Sequence, residues 1–396
     1  MLNAERVRAY FELPQPVLTA YLNTNPAKPA NRKPEPEFLT WLKGEAKTAS
    51  RTLPIDQQKL FQQQLERVET YLRDRVARGR GLVIFAGPKT WETLAVEEEI
   101  SNETRWGAPY MAPLLQLMGE HKPHEVVILD RKGARFLRYR MGEVAELGTR
   151  KFDVNVSDWR KKDMGKVASA PTRSKQGAGT MKKTRGSQRD TFEHRMDARY
   201  ARLCAETARE ATQLAAKEKL RTVFVAGAGQ LLADVTSGFS RESARHVVKI
   251  EKDLGGIPAR ELAGHVGSAI AHWERGHEAE MVESLLGNGR GTVVGMDETL
   301  AQLQKGGIRR LVLAGDMDAK LRRCRRCGLA SRAADAVCQR CGGERAITTV
   351  REVALELAWK EKAEIEIVSG EAGERLKGAE GIGGWLRRPA EVKIAG

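Results

Sequence analysis

Residues 306–343 read GGIRRLVLAGDMDAKLRRCRRCGLASRAADAVCQRCGG, and two patterns meet in them. The first is a short apolar run closed by glycine, residues 308–315, which predicts a buried strand. The second is Cys324-x2-Cys327, ten residues, then Cys338-x2-Cys341. Each pair can present two thiolates to one tetrahedral Zn²⁺, so a zinc ribbon is expected over residues 322–345. Four sulfur ligands close the coordination sphere and leave no place for water, which makes the expected metal structural. Arg322, Arg323, Arg325, Arg326, Arg332 and Arg340 surround the ligands, either as a knob that touches phosphates or as a solvated rim.

Around this segment the pattern alternates. A helix is expected after Pro258, and strands over residues 291–295, 308–315, 363–368 and 392–395, which predicts a layered α/β domain spanning 257–396 with the ribbon inserted in it. Towards the N-terminus, strands are expected over 126–130, 134–140, 143–147 and 223–226, the last preceded by a long helix. These define a middle domain, 122–256. The first domain, 1–121, has a strand over 16–22 and a helix over 36–48 with Phe38, Trp41 and Leu42 inward. A longer helix from Pro54 repeats Phe61, Leu65, Val68 and Leu72, and strands are expected over 82–86 and 93–100. The fold class is therefore α/β in three domains.

Residues 150–190 of the middle domain carry almost no large apolar side chain and many cations. Lys161, Lys162, Lys175, Lys182, Lys183, Arg185 and Arg189 lie in or near this loop, which cannot bury enough apolar surface to fold alone. The helix that follows repeats Phe192, Met196, Tyr200, Leu203, Thr207, Ala211 and Leu214 at helical spacing, which predicts a core stripe. Arg195, Arg199, Arg202 and Arg209 follow the same period on another face and continue the cationic surface. Gly186, Ser187 and Gln188 stand where loop meets helix, and Ser187 with Asp190 fits a capping box. The formal net charge of +15 in 396 residues favours a polyanionic partner. The fifth cysteine, Cys204, stands apart, and this usage suits a reducing compartment. No apolar run approaches the ~18 to 20 residues that cross a bilayer, and the first residues lack a signal-peptide core, so a cytoplasmic protein without a membrane partner is expected.

The order of these features resembles the archaeo-eukaryotic class I release-factor family, particularly its bacterial members. PVLTAYLNTNP near the start is similar to the family's first strand, and HEVVILDRKGARFLRYRMGEV to the opening of its middle domain. TRGSQRDTFEHRMDARYARL occupies the place of its Gly-Gly-Gln segment, and GGIRRLVLAG, the cysteine ribbon, AEIEIVSG and GIGGWLRR resemble its C-terminal domain. The resemblance implies a ribosome-binding factor, with rRNA and the tRNA acceptor end as partners and an elongation-factor-like GTPase as a further candidate. It implies hydrolysis of peptidyl-tRNA on stalled ribosomes, with Gly186, Ser187 and Gln188 as the catalytic loop. Glutamine is a neutral amide that positions water but cannot act as a general base at neutral pH. Ser187 replaces the family's second glycine. That departure leaves open a noncatalytic hibernation or recycling factor in the ribosomal A site. A tRNA-binding or RNA-processing protein using the same basic surface is the third reading.

Overall fold

The structure is a computed structural model that describes residues 2–74, 79–130, 132–152, 185–287 and 291–387, with residues 185–197 described by their backbone alone. The architecture is mixed α/β with several sheets, and the described chain divides into two compact units, residues 1–122 with 271–396 and residues 123–270.

The first third begins with α1 (Ala4–Phe11), capped by Asn3, whose side chain accepts a hydrogen bond from the Arg6 N–H at 2.8 Å. It continues through β1 (Val17–Asn23), α2 (Glu37–Thr52), α3 (Ile55–Asp74), β2 (Gly81–Gly87), β3 (Thr90–Val96), β4 (Glu103–Gly107) and α4 (Ala112–Glu120). The four strands form an antiparallel sheet in the order β3-β2-β1-β4. The helical repeat read from the sequence is the buried stripe: Phe38 and Leu42 of α2 and Phe61, Leu65, Val68 and Leu72 of α3 pack on Leu18, Ala20 and Ile84, with Trp41 partly buried against them. The expected strand over 93–100 is displaced. Gly87 pairs with Thr90, so the hairpin turns at residues 88–89 and β3 ends at Val96. Beyond it Glu99 is drawn away by Lys28, Asn23 and Asn25, whose hydrogen bonds hold its carboxyl down to about 2, the Lys28 contact contributing most, and Arg80 lies 3.5 Å from it.

The middle stretch contains β5 (His124–Asp130), β6 (Gly133–Arg140), β7 (Glu143–Lys151), α5 (Arg185–Glu218), β8 (Val223–Gly227), α6 (Gly229–Ser237), β9 (Val247–Glu251) and α7 (Ala259–Leu286). Its sheet runs β7-β6-β5-β8-β9, with β5, β8 and β9 parallel and the β5-β6-β7 meander antiparallel. The stripe on α5 that faces this sheet consists of small residues: Cys204, Ala208, Ala211 and Ala215 are buried against Val127, Leu129 and Phe136. Tyr200 and Leu214 pack at its margin.

The last third follows β10 (Thr292–Val294), α8 (Met296–Gln304), β11 (Ile308–Ala314), β12 (Lys320–Cys324), β13 (Ala330–Ser331), β14 (Arg345–Thr349), α9 (Val350–Lys360), β15 (Glu364–Val368), α10 (Gly370–Lys377) and β16 (Ile382–Leu386). One sheet is ordered β10-β16-β11-β15, with β11 and β15 parallel, and the cysteine segment forms a separate β13-β12-β14 sheet between β11 and α9. Residues 392–395, expected as a strand, lie outside the described residues. Among the described residues no helix is long and apolar enough to cross a membrane.

The first and last thirds share one interior. On α4, Gly119 lies so near β15 that a Cβ there would stand 2.7 Å from Ile367 Cγ1 and 2.9 Å from Ile365 Cγ2. Beside it, Arg351 of α9 donates from Nη2 to Glu103 at 2.8 Å and to the Tyr110 hydroxyl at 3.2 Å, and from Nη1 to Gln116 at 3.1 Å. Truncating one member of a part-buried charged network strands the others, so Arg351→Ala is expected to lower unfolding stability by about 3 kcal/mol. Urea denaturation checks this, and a loss below ~1 kcal/mol, the worth of an exposed pair, would show the network to be incidental.

A second buried charge behaves differently. Glu125 on β5 is fully buried, and neither carboxyl oxygen has a hydrogen-bond partner. Its cross-strand neighbour Arg138 sends its guanidinium to Glu218 instead, at 3.1 Å. Burial, with Glu210 adding to it, pushes the Glu125 carboxyl up to about 8 from its ordinary 4.5. The folded state therefore favours the protonated acid. That stability is fully present below the unfolded value and is lost as pH rises towards 8. Glu125→Gln abolishes the titration. It is expected to unfold at higher temperature than the parent at pH 8, with the difference shrinking towards pH 5; equal melting curves at both pH values would count against a neutral buried acid.

Candidate functional site

The four cysteines converge. Cys324 ends β12, Cys327 follows in the turn, and Cys338 and Cys341 lie in the second turn before β14. Their Sγ atoms all lie within 4.8 Å of one another, with Cys324 to Cys341 at 3.5 Å and Cys327 to Cys338 at 3.7 Å. A tetrahedral ion with metal–sulfur bonds of ~2.3 Å needs sulfurs about 3.8 Å apart, so the thiols fit one.

Two turns of the same design deliver the ligands. In CRRCGL the Cys324 N–H donates to the Leu329 carbonyl at 2.8 Å and the Gly328 N–H returns to the Cys324 carbonyl at 3.0 Å. CQRCGG repeats both bonds, from Cys338 to Gly343 and from Gly342 to Cys338, each 2.8 Å. Gly328 and Gly342 hold φ of +74° and +70°, a conformation that side chains resist. A Cβ on Gly343 would lie 2.8 Å from Arg326 Cβ and 3.0 Å from Cys324 Sγ, so only glycine fits against the ligands.

Backbone N–H groups prepare the first ligand for metal. Those of Cys327 and Arg326 bring the Cys324 thiol down to about 6, against the opposing effect of burial. Cys341 stands at about 11: the Gly343 N–H pulls it down, but hydrogen sharing with Cys327 and Cys324 wins. A cation in the centre withdraws the remaining protons and favours four thiolates.

The arginines around this centre are mostly engaged. Arg323 pairs with Glu356 at 2.6 Å, Arg325 with Glu344 at 3.3 Å, and Arg332 with Asp297 and Glu380. Arg322 donates to the Arg345 carbonyl and Arg326 to that of Cys341. Arg345, outside the expected cluster, is buried and donates to the carbonyls of Arg322, Ser331, Ala333 and Asp335, which makes it the internal tie of the ribbon. The run of positive charge read from sequence is largely spent on structure.

The second candidate region is α5. It begins at Arg185, so Gly186, Ser187 and Gln188 lie in its first turn, and Ser187 does not precede the helix as a cap residue must. The side chains of Arg185, Arg189 and Arg195 belong to residues described by backbone alone, and Lys161, Lys162, Lys175, Lys182 and Lys183 lie outside the described residues. Of the expected cationic face, Arg202 and Arg209 are exposed and Arg199 is half-buried. The helix is fastened to the sheet by other charges: Arg150 of β7 reaches Glu210 at 2.6 Å and Glu206 at 3.0 Å.

Residues 109–267 match the model of the bacterial archaeo-eukaryotic release factor family 10, so the resemblance read from the sequence holds across the span that contains β5, α5 and the Gly-Ser-Gln turn. No curated protein matches the chain. Solved structures similar to it include the archaeal translation termination factor aRF1, at 16% identity over 97% of both chains with a TM-score of 0.22. A ribosome-bound archaeal Pelota, solved with ABCE1, is 14% identical over 78% of this chain and 77% of its own, with a TM-score of 0.40. Dom34 of S. cerevisiae, described as a translation termination-like factor interacting with Hbs1, is 12% identical over 77% and 74%, with a TM-score of 0.34.

Gly343→Val should force the second turn off the ligands. Metal analysis of purified protein is expected to find about one ion per chain for the parent and well below that for the variant, with a ribbon more readily cleaved by protease. Full metal content in the variant would contradict the fit.

Proposed function

We propose that this protein is a release-factor-like translation factor that binds stalled ribosomes and promotes hydrolysis of peptidyl-tRNA. The observation that carries the reading is the family match over 109–267, which includes Gly186, Ser187 and Gln188 at the start of α5. In this reading Lys182 and Lys183, which precede the helix, and Arg185 and Arg189 at its start follow rRNA phosphates and the tRNA acceptor end. Arg195, Arg199 and Arg202 extend the track along the helix, while Lys161, Lys162 and Lys175 add to it from the basic stretch.

The reaction attacks the ester between nascent peptide and tRNA with water. Gln188 orients that water by its amide, and a backbone N–H of the turn stabilises the developing oxyanion, so the rate comes from positioning and electrostatics. Zn²⁺ is the metal we assign to Cys324, Cys327, Cys338 and Cys341. Its four-sulfur sphere supports a structural role in shaping the ribbon. A cytoplasmic location follows from ribosomal work.

One feature favours a second reading. Ser187 stands at the family's second glycine, and the three residues take helical backbone in the first turn of α5. A factor that occupies the A site of idle ribosomes without cleaving the ester needs no glycine freedom there.

Peptide release from ribosomes stalled with peptidyl-tRNA separates the two. Gln188→Ala is expected to cut the release rate by about 10²-fold or more while binding stays within a few fold. Binding by the parent without any release assigns the protein to the noncatalytic reading.

A further inference from the structure

We propose that the groove between α1, α9 and the first cysteine turn is a docking site for a peptide segment of a partner protein, one that presents a large apolar side chain among acidic residues. The groove encloses about 460 Å³. Phe11 of α1 and Trp359 of α9 stack along it with ring centroids 6.3 Å apart, and Leu329 and Leu357 complete an apolar floor. Such a floor takes an aromatic or branched side chain whose burial is favourable by area alone.

Charge at the margin specifies what surrounds that anchor. Arg8, Arg340 and Lys360 line the groove, all three exposed. The acid between them and the ribbon, Glu356, is taken by Arg323. Glu12 and Glu361 also face the groove, so cations exceed free acids by one. Separate carboxylates on a peptide can meet the cations and avoid Glu12 and Glu361. A nucleic-acid backbone, with a charge at every residue, would have to pass those two acids, and the floor offers it little but apolar surface.

The walls are fixed before anything binds. The Gln304 side chain accepts from the Ala330 N–H at 2.8 Å and donates to its carbonyl at 3.2 Å, which ties the ribbon to α8. Arg323 with Glu356 ties it to α9 at 2.6 Å. A preformed groove spares the ordering cost that weakens most peptide binding.

Panning a random displayed peptide library on the full chain, with counter-selection on the charge-reversed Arg340→Glu/Lys360→Glu protein, tests the proposal. The expected winners combine a leucine or aromatic residue with aspartate or glutamate. A synthetic winner should bind the double variant about tenfold or more weakly by fluorescence polarisation. Arg8→Glu, on a different element, should weaken it in the same direction, and unchanged circular dichroism melts confirm folded variants. No enrichment over the variant, winners without acids, or binding indifferent to all three substitutions would overturn the proposal. So would a labelled oligouridine that binds in a charge-dependent way where peptides do not, since the groove would then be a nucleic-acid surface.

Discussion

A guanidinium withdrawn from bulk water, that of Arg351, fixes the relation between distant parts of the chain. Its desolvation costs several kcal/mol, and only a set of acceptors placed beforehand can offset that. Glu103 from β4 supplies the carboxylate, and Tyr110 and Gln116 supply neutral oxygens from the approach to α4 and from α4 itself. The same helix that carries Arg351 leaves the ribbon directly: β14 ends at Thr349, whose hydroxyl caps α9 by accepting from the Glu352 N–H at 3.2 Å. Sheet, helix and cysteine ribbon are therefore joined through one short stretch, and an error in the ribbon would propagate into the shared interior.

The middle stretch solves its charge problem in two ways. Arg150 on β7 meets a pair of acids on α5, a partly exposed arrangement that fastens the helix at modest energetic benefit. Glu125 has no such partner and remains protonated near neutrality, because a neutral acid in an apolar layer costs far less than a bare carboxylate. Small residues on α5 let the helix lie close on the sheet, with Cys204 among them as an ordinary core side chain.

Much of this was legible in the sequence, for identifiable reasons. Phe61, Leu65, Val68 and Leu72 recur at helical spacing because they all face one sheet, and the paired CxxC spacing is dictated by a single ion's geometry. β4 escaped because it is an edge strand with mixed polarity, ETRWG, and carries no alternation. α4 escaped for the opposite reason: APLLQLMGE is apolar on most sides, since it is buried between β15 and α9, and it therefore shows no period. The roles of the basic residues were hardest to read. Composition cannot tell an arginine that meets RNA from one that meets Glu356 or Asp297, and most arginines around the cysteines turned out to be of the second kind. The repeated glycine after each CxxC pair was visible and would have announced the left-handed residue of each turn.

The proposed hydrolysis requires the Gly-Ser-Gln turn to reach the ester of a ribosome-bound peptidyl-tRNA, and site-specific photo-crosslinking from position 188 tests that directly. A photoreactive amino acid introduced there, with the chain bound to ribosomes carrying labelled peptidyl-tRNA, should form crosslinks to the terminal nucleotides of the tRNA acceptor end and to rRNA of the peptidyl transferase centre. Efficient binding with crosslinks only to other ribosomal regions, or to none, would contradict the account.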